Sequence, residues 1–163
     1  MGPMPKELLP PEQYYATLAT NYTSGLGLIT DPADNVLLVK PNYRDGWDIP
    51  GGVLDDGESP HEACGREIAE ELGLDLPVGN LLVVDWAPPE GDRPRAVACY
   101  LFDCGVVPAD VEIRLQIEEL DDYRFCSVTT AVELLHPITA ARLSAAFTAR
   151  ARGGAVYLPT SPR

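Results

Sequence analysis

The sequence predicts a single α/β domain in which helices cover a mixed sheet. Its 163 residues suit one domain with a sizeable core. Its hydrophobic content of 45% is ordinary for a soluble globular protein. Strand-like segments are mixed with a few helical ones, and no repeat or long linker divides the chain. We therefore expect a loose N-terminal lead-in over residues 1–15, one domain over 16–153, and a partly disordered tail over 154–163.

The strand predictions come from segments rich in β-branched, aromatic and other apolar residues between turn residues. The first two predicted strands are separated by the turn Asp31–Asn35, which contains proline and asparagine. The predicted strands are Tyr22–Thr30, Val36–Lys40, Trp47–Pro50, Leu81–Trp86, Arg95–Asp103, Val111–Ile117 and Tyr123–Val128.

Three segments are predicted helices, and the first carries complete end signals. Ser59 is a good N-cap and Glu62 completes a capping box with it. Pro60 suits the first helical position, and Gly73 lies where a left-handed residue ends a helix. The three predicted helices are 60–72, 129–135 and 139–152.

The first helix concentrates carboxylates on one face. Glu67, Glu70 and Glu71 are spaced i, i+3 and i+4, so they are neighbours on the helix surface. Like charges at this spacing destabilise an isolated helix by roughly 0.2–0.5 kcal/mol per pair. A divalent cation that prefers oxygen ligands, Mg²⁺ first, would offset that repulsion. We expect the other face to pack on the sheet through Gly65, Ile68, Ala69 and Leu72.

A glycine turn precedes this helix. Trp47–Gly52 reads Trp-Asp-Ile-Pro-Gly-Gly, and the proline favours an extended residue before it. The two glycines then make a turn that no side chain crowds. An acidic loop, 55–58, connects this turn to the helix.

The whole segment resembles the signature of the Nudix hydrolase family. That signature is a glycine, five residues, a glutamate, seven residues, then Arg-Glu-apolar-x-Glu-Glu-x-Gly-apolar. The sequence matches it without departure, and the preceding Trp-x-apolar-Pro-Gly-Gly is also typical of the family. The resemblance implies an α/β/α sandwich and metal-dependent hydrolysis of a phosphoanhydride bond in a nucleoside diphosphate linked to another moiety. The matching positions are Gly52, Glu58, Arg66, Glu67, Ile68, Glu70, Glu71, Gly73 and Leu74.

The resemblance also implies residue roles. Glu67 and Glu71 correspond to the family's metal-binding glutamates, and Glu70 to a third ligand or water activator. The carbonyl of Gly51 corresponds to a backbone ligand. The expected cation is Mg²⁺ or Mn²⁺.

Arg66 and Glu58 correspond to a pair that holds the loop to the helix, with a solvated surface charge as the alternative for Arg66. A later glutamate near the metals is common in the family. Glu119, which begins Glu-Leu-Asp-Asp-Tyr-Arg-Phe, fits that pattern, with Glu118 and Asp121 as competitors. An acidic solvated loop is the alternative here.

Substrate contacts are harder to assign. Tyr43 and Trp47 offer flat surfaces for a base, although each also suits the core, and Arg44 could bind a phosphate or remain solvated. Pro88 and Pro89 lie about fifteen residues after the signature, where ADP-ribose hydrolases of the family carry a proline.

The charge limits the partners. A net charge of −13 counts against nucleic acid polymers and anionic membrane surfaces, but not against small phosphorylated nucleotides that bind through metal. No apolar run approaches about 20 residues, and the N-terminus lacks a signal pattern, so we expect a cytoplasmic protein. Four cysteines form no metal or CxxC pattern and are expected to be reduced thiols. A homodimer is left open.

Three function classes are compared. The first is a Nudix pyrophosphohydrolase acting on an ADP-ribose-like substrate or a nucleoside triphosphate. The second is an isopentenyl diphosphate isomerase, which shares the fold but needs a catalytic cysteine in a layout not found here. The third is a non-catalytic ligand sensor, which usually has an eroded signature and an added DNA-binding domain. The intact signature favours the first.

Overall fold

The protein is described by a computed structural model over residues 8–159. The helices are α1 (Pro11–Ala16), α2 (Pro60–Leu72), α3 (Val128–Leu134) and α4 (Pro137–Arg152). The strands are β1 (Tyr22–Thr30), β2 (Val36–Pro41), β3 (Gly51–Val53), β4 (Leu81–Ala87), β5 (Val97–Val106), β6 (Leu120–Cys126) and β7 (Val156–Pro159).

The strands form one mixed sheet. Its order is β6-β2-β1-β5-β4-β7, and β3 pairs with β1 beside this path. β1 runs parallel to β5 and β4 runs parallel to β7, while the other pairs are antiparallel. The predicted mixed sheet is confirmed.

Helices cover both faces of the sheet. Successive residues of β1 point to opposite faces, so Leu28 lies in one hydrophobic cluster and Ile29 in the other. Ile68 and Leu72 of α2 pack in the cluster around Ile29, whereas Leu143 of α4 packs in the cluster around Leu28. This arrangement confirms the predicted α/β/α sandwich.

The ends of α2 are as predicted, but its buried face is not. Ser59 Oγ accepts from the Glu62 amide while the Glu62 carboxylate accepts from the Ser59 amide, and Gly73 has a φ of 66°. Ala69, expected to be buried, is exposed, and Glu71 is buried instead. The buried stripe is therefore rotated towards the carboxylates.

The predicted strand Val111–Ile117 is wrong. This segment has no strand partner and is irregular. The Arg114 amide donates to the Leu72 carbonyl and the Gln116 amide donates to the Glu71 carbonyl, at 2.9 and 3.0 Å. Its alternating apolar side chains are half-buried against the α2 cluster, so the alternation reflects packing rather than strand pairing.

Three other segments differ from expectation. Trp47–Pro50 forms only isolated bridges, and the strand starts at Gly51, because Pro50 has no amide to donate. In the expected loose tail, β7 pairs with β4, so residues 156–159 belong to the sheet. The expected lead-in contains the short helix α1. Residues 1–7 and 160–163 lie outside the described part, and the boundaries at 16 and 153 stay a prediction.

The cysteines and the helix lengths complete the comparison of the fold with expectation. Cys64, Cys99, Cys104 and Cys126 are all buried and free, as predicted for thiols that act as small apolar side chains. Across residues 8–159, every helix is too short or too polar to cross a membrane.

Candidate active site

The site is built on the glycine turn that enters β3. Gly51 has a φ of 134°, and a Cβ there would lie 2.3 Å from the Gly25 carbonyl oxygen. Only glycine tolerates both conditions. In this conformation the Gly51 amide donates to Glu71 Oε2 at 2.9 Å, which ties the turn to α2.

The second glycine brings another carboxylate against the backbone. A Cβ at Gly52 would lie 2.4 Å from Glu67 Oε1, so the carboxylate occupies the space that a side chain would fill. Glu67 and Glu71 are one helical turn apart, and both reach this turn. The structure thus brings together Gly51 and two of the predicted metal ligands.

Both carboxylates lie where negative charge is poorly tolerated. Glu71 is 7% exposed, and burial raises its pKa to about 8, with further contributions from the charges of Glu67, Asp48 and Glu119. The Gly51 amide opposes that shift. Burial also raises the pKa of Glu67, against the opposing effect of its hydrogen bond from Arg66. A bound cation would relieve this repulsion.

Arg66 holds the acidic loop to the helix. Its Nε and one terminal nitrogen donate to the two Glu58 oxygens at 2.8 and 3.0 Å, a bidentate pair. The other terminal nitrogen donates to Glu67 at 2.9 Å and Glu70 at 3.1 Å. The hydrogen bond from Arg66 lowers the pKa of Glu58. The predicted pair is therefore brought together, and it also orients Glu67.

Both candidates for the general base are exposed. The Glu70 side chain is 50% exposed, and its carboxylate contacts Arg66 rather than the glycine turn. Glu119 lies in the turn before β6, where its carbonyl accepts from the Asn42 amide at 2.9 Å. Its charge contributes to the raised pKa of both Glu67 and Glu71, so its carboxylate lies near both.

The donor set fits a hard divalent cation. Every candidate ligand is a carboxylate or backbone oxygen, the type that Mg²⁺ and Mn²⁺ prefer. Across residues 8–159, no three acidic, cysteine or histidine side chains are close enough to hold a metal by themselves. Mg²⁺ usually binds through one or two carboxylates, with waters and substrate phosphates completing its shell, so this open arrangement is suitable.

A cleft of about 210 Å³ extends from the buried carboxylate Glu71. Tyr43 and Arg44 line it and are exposed, and Arg44 pairs with Asp48. Trp47 does not line this cleft; it packs against the α4 side of the sheet, with the Arg124 guanidinium 4.8 Å from its ring centroid.

Sequence reasoning missed Arg142, which also lines the cleft. Arg142 lies on α4, and its Nε donates to Asp85 Oδ2 at 2.6 Å. The Asp85 side chain is fully buried on β4. A charged residue within the apolar strand LLVVDWA was the available signal, but its partner lies 57 positions away.

Comparisons with known proteins agree with this geometry. The family described as NUDIX domain matches residues 23–147. An 8-oxo-dGTP diphosphatase from Proteus vulgaris is 38% identical over 60 residues, which cover 34% of this chain and 54% of that protein. The chain spans between 29% and 54% of the first curated relatives that it matches.

Two solved structures show the same fold. The MutT protein from Methanosarcina mazei Go1 superimposes with a TM-score of 0.69 at 22% identity, covering 81% of this chain and 96% of that one. The NUDIX domain of Shewanella oneidensis NrtR, solved with ADP-ribose, has a TM-score of 0.68 at 16% identity, covering 86% and 98%. With the family match over most of its length, the chain belongs to the Nudix hydrolase family.

Proposed function

We propose that this protein is a metal-dependent pyrophosphohydrolase that cleaves a phosphoanhydride bond in a nucleotide. The observation that carries the proposal is the pair Glu67 and Glu71, two crowded carboxylates packed on a glycine turn beside an open cleft. Within residues 8–159, Glu71 forms no ion pair, whereas Glu67 pairs with Arg66 at 2.9 Å, and burial raises the pKa of both carboxylates.

The residues that would hold Mg²⁺ or Mn²⁺ are Glu67, Glu71 and the carbonyl of Gly51, with Glu119 adding negative charge nearby. When bound, such an ion neutralises phosphate oxygens and polarises the phosphorus towards attack by water. Arg66 and Glu58 would position other groups of the site. Their bidentate pair fixes the acidic loop, and Arg66 aims Glu67 at the turn.

Glu70 is the proposed general base. It lies on the same rigid helix as the two metal-binding candidates, so its distance from them is fixed by helix geometry. Its half-exposed carboxylate is accessible to water and can accept a proton from it. Glu119 is the competing base, and its position on a turn makes its carboxylate less rigidly placed.

The proposed substrate is a small phosphorylated nucleotide, either ADP-ribose-like or a nucleoside triphosphate. Tyr43 and Arg44 at the cleft would contact the base and a phosphate, and Trp47 is a weaker candidate because it packs away from the cleft. The ADP-ribose in the Shewanella structure and the 8-oxo-dGTP diphosphatase name of the Proteus relative support these two substrate classes. The net charge of −13 counts against polymers and membranes, and we propose a cytoplasmic location.

A substrate panel tests the proposal. ADP-ribose, 8-oxo-dGTP, dGTP and a UDP-sugar would each be incubated with Mg²⁺ or Mn²⁺, and products identified by mass. We expect a nucleoside monophosphate together with a sugar phosphate or pyrophosphate. Activity should vanish with EDTA and in Glu71→Gln, which removes charge at nearly constant shape. Full activity in EDTA would refute the metal requirement, and binding without turnover would favour a ligand sensor.

A further inference from the structure

We infer that a second cavity beside the active cleft is an anion subsite, which takes a phosphate group of the substrate outside the scissile pyrophosphate. This inference rests on the proposed function for its role in catalysis. The cavity holds about 280 Å³. It shares Arg44, Asp48 and Arg142 with the cleft that contains Glu71, so one extended ligand can occupy both spaces.

Three arginines meet in this cavity. Arg44, Arg93 and Arg142 line it, and these are three of only 12 lysines and arginines in a chain with net charge −13. Two carboxylates, Asp48 and Glu90, also line it. Asp48 pairs with Arg44 and the buried Asp85 pairs with Arg142, so Arg93 is the guanidinium of this cavity that has no carboxylate partner within residues 8–159.

Each guanidinium is held in place. Arg142 pairs with the buried Asp85, and Arg44 pairs with Asp48. Arg93 is different, because backbone carbonyls of its own loop hold it: its nitrogens donate to Pro88 at 2.8 Å, Arg95 at 2.9 Å and Ala87 at 3.5 Å.

Carbonyls fix the orientation of a guanidinium without cancelling its charge. Within residues 8–159, Arg93 forms no ion pair with a carboxylate. Guanidinium groups also match phosphate geometry. Arg93 is therefore the arginine of the cavity most available to an incoming phosphate.

The N-terminus of α4 adds positive electrostatic potential to the same cavity. His136, Ile138 and Thr139 line the cavity, and they are the N-cap and first-turn residues of this 16-residue helix. Peptide groups at a helix N-terminus carry partial positive charge and favour anions. The arginines and the helix terminus thus act on one space.

Matched substrates that differ by a single phosphate test this inference. The pairs are NADPH with NADH, and coenzyme A with dephospho-coenzyme A, each assayed for kcat/KM with Mn²⁺. We expect the wild-type protein to favour the phosphorylated member by about tenfold, the scale of one charge-assisted hydrogen bond. Arg93→Gln should move that ratio towards one. Arg95→Gln removes the same charge from the same loop outside the cavity and should keep the ratio.

Both substrates of a pair are assayed with the same variant. A general loss of folding or activity therefore cancels in the ratio of their kcat/KM values. A wild-type ratio near one in both pairs, or the same loss of preference in Arg95→Gln, would overturn the inference.

A binding experiment separates this inference from the proposed function. The protein without divalent cations would be titrated with inorganic phosphate and followed by ¹⁵N NMR. We expect shifts at the Arg93 Nε and at the amides of Ile138 and Thr139, and their absence in Arg93→Gln. If no nucleotide is hydrolysed, the proposed function fails, but this titration still shows whether the cavity binds phosphate. Shifts that avoid these groups, or persist in Arg93→Gln, would refute it.

Discussion

The two long helices bury charge in opposite ways. On α2, the Glu71 carboxylate is buried, and within residues 8–159 its hydrogen-bond partner is the Gly51 amide. Burial raises its pKa to about 8, with further contributions from three nearby carboxylates. On α4, Arg142 and Arg150 each donate to a carboxylate, Asp85 and Asp103, with shortest distances of 2.6 Å. Both faces of the sheet therefore contain partly buried charge. Within residues 8–159, Glu71 has no ion-pair partner, whereas both of these α4 arginines have one.

This difference between the two helices distinguishes a charge that is paired within the fold from a charge that can bind a ligand. A buried ion pair is complete in the folded chain and requires no ligand, although breaking it is costly. An uncompensated carboxylate destabilises the folded chain unless something else binds to it. We therefore propose that the α2 face binds a cation, while α4 supplies the fixed guanidinium of Arg142 to the cleft.

The largest expected effect is on catalysis when the uncompensated charge is removed. Glu71→Gln should lower kcat/KM by roughly 10³-fold, since a catalytic metal supplies several kcal/mol of transition-state stabilisation. The change would be measured by product formation from whichever nucleotide the panel identifies. Far-ultraviolet circular dichroism is the control for folding, and a variant that keeps wild-type kcat/KM would exclude Glu71 as a ligand.

Removing a compensated charge should act on stability instead. Arg142→Met leaves Asp85 buried without its cation and should lower the free energy of unfolding by about 3–5 kcal/mol. Urea denaturation would measure this change. In the metal-free protein, Glu71→Gln should instead raise the free energy of unfolding. Equal destabilisation by both substitutions would remove the distinction between the helices.

The general base is expected to have an intermediate effect. Glu70→Gln should lower kcat by at least about 100-fold, since a positioned base contributes roughly 10²–10⁴-fold. Glu119→Gln should cost less and mainly weaken the affinity for metal or substrate. Steady-state kinetics over a range of Mn²⁺ concentrations distinguishes the two. The reverse ranking with unchanged metal affinity would transfer the role of base to Glu119.

The smallest of these effects concerns the glycine turn. In Gly52→Ala, the three atoms nearest to the new Cβ would be those of the Glu67 carboxyl group, at the far end of a side chain. The fold should therefore survive, while kcat/KM falls by about tenfold or more as that carboxylate is displaced. Gly51→Ala meets the Gly25 carbonyl and also needs a positive φ, so it should lose stability as well. Thermal melts alongside kinetics would show the contrast, and similar melting losses in both variants would contradict it.

The same contrast explains what could be predicted from the sequence. The capping box, the glycine turn and the carboxylate stripe of α2 depend on spacings of a few residues, so they were readable as a pattern. The burial of Glu71 was not readable, because it depends on how α2 rotates against the sheet. The irregular segment 111–117 was mistaken for a strand because half-burial produces the same alternation.

The other wall of the cleft was beyond sequence reasoning. Arg142 and Asp85 are 57 residues apart, and their elements meet only when α4 packs on the sheet. Arg93 is oriented by carbonyls of its own loop, and carbonyls have no sequence signature. Local motifs therefore predicted the acidic half of the site, and tertiary packing determined the basic half.

The most direct test is the thermal unfolding midpoint of wild-type protein and Glu71→Gln with and without Mn²⁺, at pH 6 and pH 9. Because folding raises the pKa of Glu71 from 4.5 to about 8, the metal-free wild type should lose stability as pH rises through that window. We predict that Mn²⁺ restores it at pH 9, and that Glu71→Gln melts higher than metal-free wild type and does not respond to Mn²⁺. An undiminished Mn²⁺ response in Glu71→Gln would contradict a metal site at this carboxylate.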